Sequence, residues 1–123
     1  MFELKIVTAF AAAHQLRMVS KKCENLHGHN WKIEVCVRGE TLNKAGVLID
    51  FGELKKYVSE IIESLDHKFL NELDYFSSGN PSSENIAMYI AQQLQKLLHD
   101  SSVIVFSVTS WESDDACATY FCR

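Results

Sequence analysis

Between positions 31 and 38 the chain alternates strictly, with Trp31, Ile33, Val35 and Val37 on one parity and Lys32, Glu34, Cys36 and Arg38 on the other. Successive strand residues point to opposite faces, so this pattern calls for a strand with one buried side. Phe2, Leu4 and Ile6 alternate with Glu3 and Lys5 in the same way, and that strand is expected to reach about Ala13. Two helix-period stretches follow. Asp50 has the position of an N-cap, with Glu53 completing a capping box. Leu54, Tyr57, Val58, Ile61, Ile62 and Leu65 then form one apolar stripe. Beyond the loop at Gly79, Asn80 and Pro81, either Asn80 or Ser82 caps a second helix with the stripe Ile86, Ile90, Leu94, Leu97 and Leu98. Val103 to Trp111 reads as a strand, and Cys117 to Cys122 as its hairpin partner across a turn near Asp114 and Asp115.

The order is therefore β-β-α-α-β-β. Local hairpins imply an α+β layer fold, a four-stranded antiparallel sheet with two helices on one face. Phe10 and Phe121 are expected on the opposite face, and four strands leave two open edges. Both features hint at oligomerisation. The chain has 123 residues and is expected to form a single domain over 1–123. Its net charge of −4 argues against a general nucleic-acid binder. Arg17, Lys21 and Lys22 form a local basic cluster, read most simply as a solvated loop. No stretch has the length and apolarity of a membrane span, the N-terminus lacks a signal-peptide pattern, and a cytoplasmic protein is expected. Cys23, Cys36, Cys117 and Cys122 show no Cys-x-x-Cys spacing and are expected to be free thiols.

The chemistry-bearing residues concentrate near the ends of the first two strands. His27 and His29 flank Gly28, and residues i and i+2 of an extended segment share a side. Gly28 also allows the backbone tight conformations. A His-x-His pair alone is weak evidence for metal. If the first two strands pair antiparallel, however, the end of one meets the start of the other, and His14 joins His27 and His29. Three neutral imidazoles with a vacant position make a catalytic rather than a structural metal arrangement. Cys23 is then either a fourth ligand or an unligated thiolate acting as nucleophile or base beside the cation. Asp66-His67 reads either as a helix C-terminal pair or as an imidazole oriented by a carboxylate for proton transfer. Glu112, at a strand end, is either solvated or accepts two parallel N–H bonds from a guanine-like heterocycle. Glu84 is most simply a helix-dipole partner, and His99 a surface or capping residue.

Six segments, in this order, resemble the 6-pyruvoyl-tetrahydropterin synthase / 6-carboxytetrahydropterin synthase family. They are Phe10-Ala11-Ala12-Ala13-His14, Cys23-x-x-x-His27-Gly28-His29-Asn30, Gly46-Val47-Leu48-Ile49-Asp50-Phe51, Leu65-Asp66-His67-x-x-Leu70-Asn71, Asn80-Pro81-Ser82-Ser83-Glu84-Asn85 and Trp111-Glu112-Ser113. The resemblance implies the tunnelling fold (T-fold), a homohexamer built as a dimer of trimers, and active sites between subunits. It implies Zn2+ on His14, His27 and His29, Cys23 as general base, Asp66 and His67 as proton-relay groups, and Glu112 as the anchor of the pterin ring. The three-residue gap between Cys23 and His27 is similar to the bacterial 6-carboxytetrahydropterin synthases of queuosine biosynthesis. The implied reaction is a zinc-dependent lyase step from 7,8-dihydroneopterin triphosphate to 6-carboxy-5,6,7,8-tetrahydropterin, releasing acetaldehyde and triphosphate. The alternatives are a 6-pyruvoyl-tetrahydropterin synthase that eliminates triphosphate, a relative with dihydroneopterin-aldol chemistry, and a non-catalytic zinc-binding interaction module. Trp31 stands where the family often has Tyr, and Ser113 where Thr is common. Trp31 is expected to affect packing only.

Overall fold

The computed structural model describes residues 1–17 and 25–122. Cys23 lies outside them, as do Lys21 and Lys22. The elements run β1 (Phe2–His14), β2 (His27–Gly39), α1 (Phe51–Glu63), α2 (Ser83–Leu97), β3 (Ile104–Ser113) and β4 (Ala116–Phe121), with short 3-10 turns at Leu70–Glu72 and Asp74–Phe76. The strands form one sheet in the order β1-β2-β3-β4, with every neighbouring pair antiparallel. The expected layer architecture and element order are therefore present.

Both helix starts follow from their side chains. The Asp50 carboxylate accepts the Glu53 backbone N–H, and the Ser82 hydroxyl accepts that of Asn85, so each satisfies a donor that the first helical turn leaves open. The Glu53 side chain accepts the Tyr57 hydroxyl instead of closing a capping box. Ser82, not Asn80, caps α2. Leu54, Val58, Ile61, Ile62 and Leu65 are buried from the α1 side, and Ile86, Ile90, Leu94 and Leu98 from the α2 side. Leu97, placed in the second stripe by its spacing, is exposed.

One face of the sheet meets these helices. Ile6, Phe10, Trp31, Ile33, Val35, Val37, Val105 and Val108 join the helix residues in a continuous core. Phe10 is thus a correction. It pairs with Trp31 in the β1–β2 ladder, stacks on its ring and lies 4% exposed, on the helix side. Phe121 does lie on the opposite face and is 59% exposed. Strand ends differ slightly from the pattern-based limits, with β1 reaching His14 and β3 reaching Ser113.

The β1 edge is partly covered. The segment after α1 runs beside it, with a parallel bridge between Ala13 and Phe69 and a bond from the Ala13 N–H to the Lys68 carbonyl. No helix among the described residues is long and apolar enough to cross a membrane. Replacing Ser82 with Ala removes the α2 cap, and we expect a loss of about 1 kcal/mol in urea unfolding. Leu54→Ala, which opens a cavity under a fully buried side chain, should cost about 2–5 kcal/mol in the same measurement.

Candidate metal centre

The β1–β2 register decides the site. His14 stands directly opposite His27, and Ala12 opposite His29, so all three imidazoles project from the helix-side face at one end of the sheet. Their donor atoms, together with one oxygen of Glu112, lie within 4.8 Å of one another. Gly28 is ordinary strand residue here, paired with Ala13. A Cβ on it would meet only the Ala12 carbonyl oxygen at 3.9 Å, so its tight-turn role is not needed.

Backbone carbonyls set the tautomers. His14 Nδ1 donates to the Pro81 carbonyl at 2.8 Å, and His27 Nδ1 to that of Asn25 at 2.7 Å. A carbonyl only accepts, so both neutral rings carry their proton on Nδ1 and present a lone pair at Nε2. Those two Nε2 atoms face one another at 3.1 Å. Two lone pairs so close repel unless a proton or metal cation lies between them. His29 Nε2 is buried without a hydrogen-bond partner, although Glu112 Oε1 is 2.8 Å away. Convergent lone pairs with outer-layer carbonyls behind them form a donor set that fits a divalent transition metal.

Burial pushes the His29 imidazole below its ordinary pKa; His27 and His14 add to the effect and Glu112 opposes it. A neutral ring is the form a metal requires. Trp31, fully buried, stands edge-on to both His14 and His29, with ring centroids 5.0 and 5.2 Å apart. It packs, as expected, but what it packs against is two of the candidate ligands.

Glu112 sits at a β-bulge. Trp111 pairs with Cys117 and Ser113 with Ala116, which leaves Glu112 as the extra residue in the β3–β4 ladder. Glu112 Oε1 lies 2.8, 3.3 and 3.7 Å from Nε2 of His29, His14 and His27. The neighbouring Ser113 hydroxyl donates to Asp115.

Asp66 and His67 follow the end of α1 at Glu63, in the turn that grips β1, and the Asp66 N–H still bonds the Ile62 carbonyl. The Ala11 N–H donates to Asp66 Oδ1 at 2.9 Å, and the His67 N–H donates to the Ala11 carbonyl. His67 has φ 58°, a left-handed conformation that costs about 1–2 kcal/mol for a residue with a Cβ. These two bonds help hold it there. Its Nδ1 is 3.0 Å from Asp66 Oδ2. The Ala11 N–H, and secondarily His67, hold the Asp66 carboxyl below the usual carboxylate range. His67 and His29 line one open cleft of about 530 Å³, floored by the small residues Ala11, Ala13 and Gly28.

Two asparagines complete the support. Asn71 and Asn80 each use a side-chain amide like a strand edge. Asn71 exchanges two bonds with the backbone of Gln15, and Asn80 two with that of Arg17. Asn85 then holds the Asn80 carbonyl. Arg17, exposed as expected from the sequence, also donates to the Gly79 carbonyl at 2.7 Å and so braces this corner. Both asparagines fall within segments of the family pattern, but their amide-for-strand role has no periodic signature. Glu84 is exposed in the first turn of α2, and His99 bonds the Lys96 carbonyl near that helix's end.

The family pattern described as 6-pyruvoyl tetrahydropterin synthase matches residues 3–122. The chain belongs to that family. It is 36% identical over 107 residues to a dihydroneopterin monophosphate aldolase of Pyrococcus furiosus, covering 87% of this chain and 86% of the relative. It is 40% identical over 89 residues to a putative 6-carboxy-5,6,7,8-tetrahydropterin synthase of Archaeoglobus fulgidus, covering 72% of each. The structure of the Caenorhabditis elegans 6-pyruvoyl tetrahydropterin synthase superposes with a TM-score of 0.87 at 27% identity, covering 99% of this chain and 96% of that one. The T-fold is thereby shown.

A pH dependence follows from His29. Its folded pKa is depressed below 6.5, so below that pH the unfolded chain binds more protons than the folded one. Stability is full above about 6.5 and falls as the pH drops through that value. The melting temperature of metal-stripped protein should decline on acidification from pH 7.5 to 5.5. Added divalent metal should raise it at pH 7.5 and raise it less at pH 5.5, because metal affinity falls on acidification.

Proposed function

We propose that this family member is a zinc-dependent lyase that converts 7,8-dihydroneopterin triphosphate to 6-carboxy-5,6,7,8-tetrahydropterin. Acetaldehyde and triphosphate are released with uptake of one water. The observation that carries the reading is the convergence of the His14, His27 and His29 imidazoles with Glu112; of these, His29 also lines the cleft that His67 lines. His14, His27 and His29 would hold the ion. Bound there, zinc supplies Lewis acidity to side-chain hydroxyls of a substrate. A set of imidazoles and a carboxylate at these separations suits Zn2+.

The chain's own groups divide the remaining work. Cys23 is proposed as the general base that removes a proton from the side chain next to the ring. His67 returns protons, with the anionic Asp66 fixing the proton on its Nδ1. Glu112 accepts the paired N–H groups of the pterin, which orients the reacting atoms. The spacing of Cys23 and His27 supports the carboxy-forming branch. A homohexamer of two trimers is part of the proposal, supported by exposed Val7 and Phe121 on the sheet face away from the helices.

A second reading is favoured by the similarity to the P. furiosus aldolase. In that case the substrate carries one phosphate and a carbon–carbon bond of the side chain is cut without loss of triphosphate. Incubation of purified protein with dihydroneopterin triphosphate and, separately, its monophosphate, followed by mass spectrometry, decides between them. We expect 6-carboxytetrahydropterin from the triphosphate. A pyruvoyl product, or turnover of the monophosphate alone, defeats the carboxy assignment.

Cys23→Ala should keep zinc and lose turnover by at least roughly 100-fold. Loss of zinc in that variant would instead make the thiol a ligand. Asp66→Asn should lower kcat by about 10²-fold or more with little change in KM, since it misdirects the His67 proton.

A further inference from the structure

We propose that Glu112 is the fourth metal ligand of the resting protein, released from the ion when a pterin ring claims its carboxylate. The inference rests on the metal-centre reading above and deepens the role given to Glu112.

Donor separations carry it first. With metal–ligand bonds of about 2.0–2.1 Å, the edges of a tetrahedron are about 3.3–3.4 Å long. Four of the six edges are 3.1 Å for His14–His27, 3.3 Å for His14–Glu112, 3.7 Å for His27–Glu112 and 2.8 Å for His29–Glu112, and the two between His29 and the other imidazoles are within 4.8 Å. They bracket the required length, and all three contacts of the carboxylate run through Oε1. Among the described residues these imidazoles are its only charged or hydrogen-bonding partners. A carboxylate turned merely towards solvent has no reason to meet three ring nitrogens, two of them on rings whose Nδ1 donates to a backbone carbonyl.

Strand parity carries it independently. Val108 and Ser110 stand opposite Val35 and Ile33, so alternation along β3 puts Glu112 on the helix-side face with the imidazoles, where it is left unpaired with β4.

The two roles of Glu112 exclude one another in time. A carboxylate accepts a guanine-like ring best with both oxygens free. Oε1 cannot do so while it lies among the three Nε2 atoms. Ring recognition thus opens a position on the ion, and removing the anionic ligand leaves the ion more positive and a stronger Lewis acid. Before the ring arrives, four protein donors keep the ion closed.

Cobalt(II) loading of the full-length protein reads this without turnover. The wild type should show the intense visible bands of a four-coordinate site, and titration with an unphosphorylated pterin should change them. Outer-layer partners of metal ligands already contribute roughly 10- to 100-fold in affinity. Glu112→Ala, losing a direct ligand, should bind Co2+ at least tenfold more weakly, and its bands should not respond to the pterin. Glu112→Gln keeps the shape and lacks the anion, and it decides the matter if the Ala variant does not fold by circular dichroism. Variants with wild-type Co2+ affinity and bands overturn the proposal, as does a thiolate charge-transfer band that places Cys23 in the fourth position. Failure of the wild type to bind Co2+ or Zn2+ at all defeats the metal-centre reading itself. Metal binding with the expected spectra but no product from either pterin phosphate defeats only the assigned reaction.

Discussion

The pairing of β1 with β2 is the constraint on which the rest of the molecule depends. In one register, His14 faces His27 and Ala12 faces His29, and three imidazoles meet. A slip of one residue would send every side chain of one strand to the opposite face and scatter the cluster. The same register sets Phe10 against Trp31 and Ile6 against Val35 in the core. Apolar burial and ligand convergence are thus fixed by one choice. The hydrophobic effect selects the register, and the metal chemistry inherits it.

Around this pairing, backbone groups take over work that side chains are often assumed to do. The Pro81 and Asn25 carbonyls decide which nitrogen of His14 and His27 is free. Ala11, with a single methyl group, holds both Asp66 and His67 through its amide and carbonyl. Asn71 and Asn80 borrow strand-edge geometry to fasten the chain after His14. Asp66 and His67 are therefore drawn to the end of β1 that carries His14, through a contact between Ala11 and Asp66 that spans 55 residues of sequence.

Strand and helix periods were legible because burial is one-sided: Trp31 to Val37 and the stripes of α1 and α2 fell where their spacing placed them. The histidine triad was legible because antiparallel pairing brings strand ends together with no further information. Phe10 was misplaced because parity across the uninterrupted Phe10-Ala11-Ala12-Ala13 run gives no contrast between faces. Leu97 was misplaced because Leu98, one position on, continues the buried row of Ile86, Ile90 and Leu94 and leaves Leu97 on its exposed flank. The position of Glu112 was invisible for another reason. Only the β2–β3 register brings it to the imidazoles, and residue type does not reveal that register, so its side chain was assigned by analogy to a ligand and not to the imidazoles it meets. His67 belonged with the end of α1 by spacing alone, and only its left-handed backbone and its grip on Ala11 separate it from the helix.

The unpaired residue in the last hairpin has a consequence for how such chains diverge. A short exposed turn like the one at Asp114 and Asp115 is usually where insertions and deletions accumulate. Here one residue gained or lost on either arm would erase or double the offset between the Trp111–Cys117 and Ser113–Ala116 pairs and send every side chain of β4 to the other face. Length variation should therefore be purged from this surface loop.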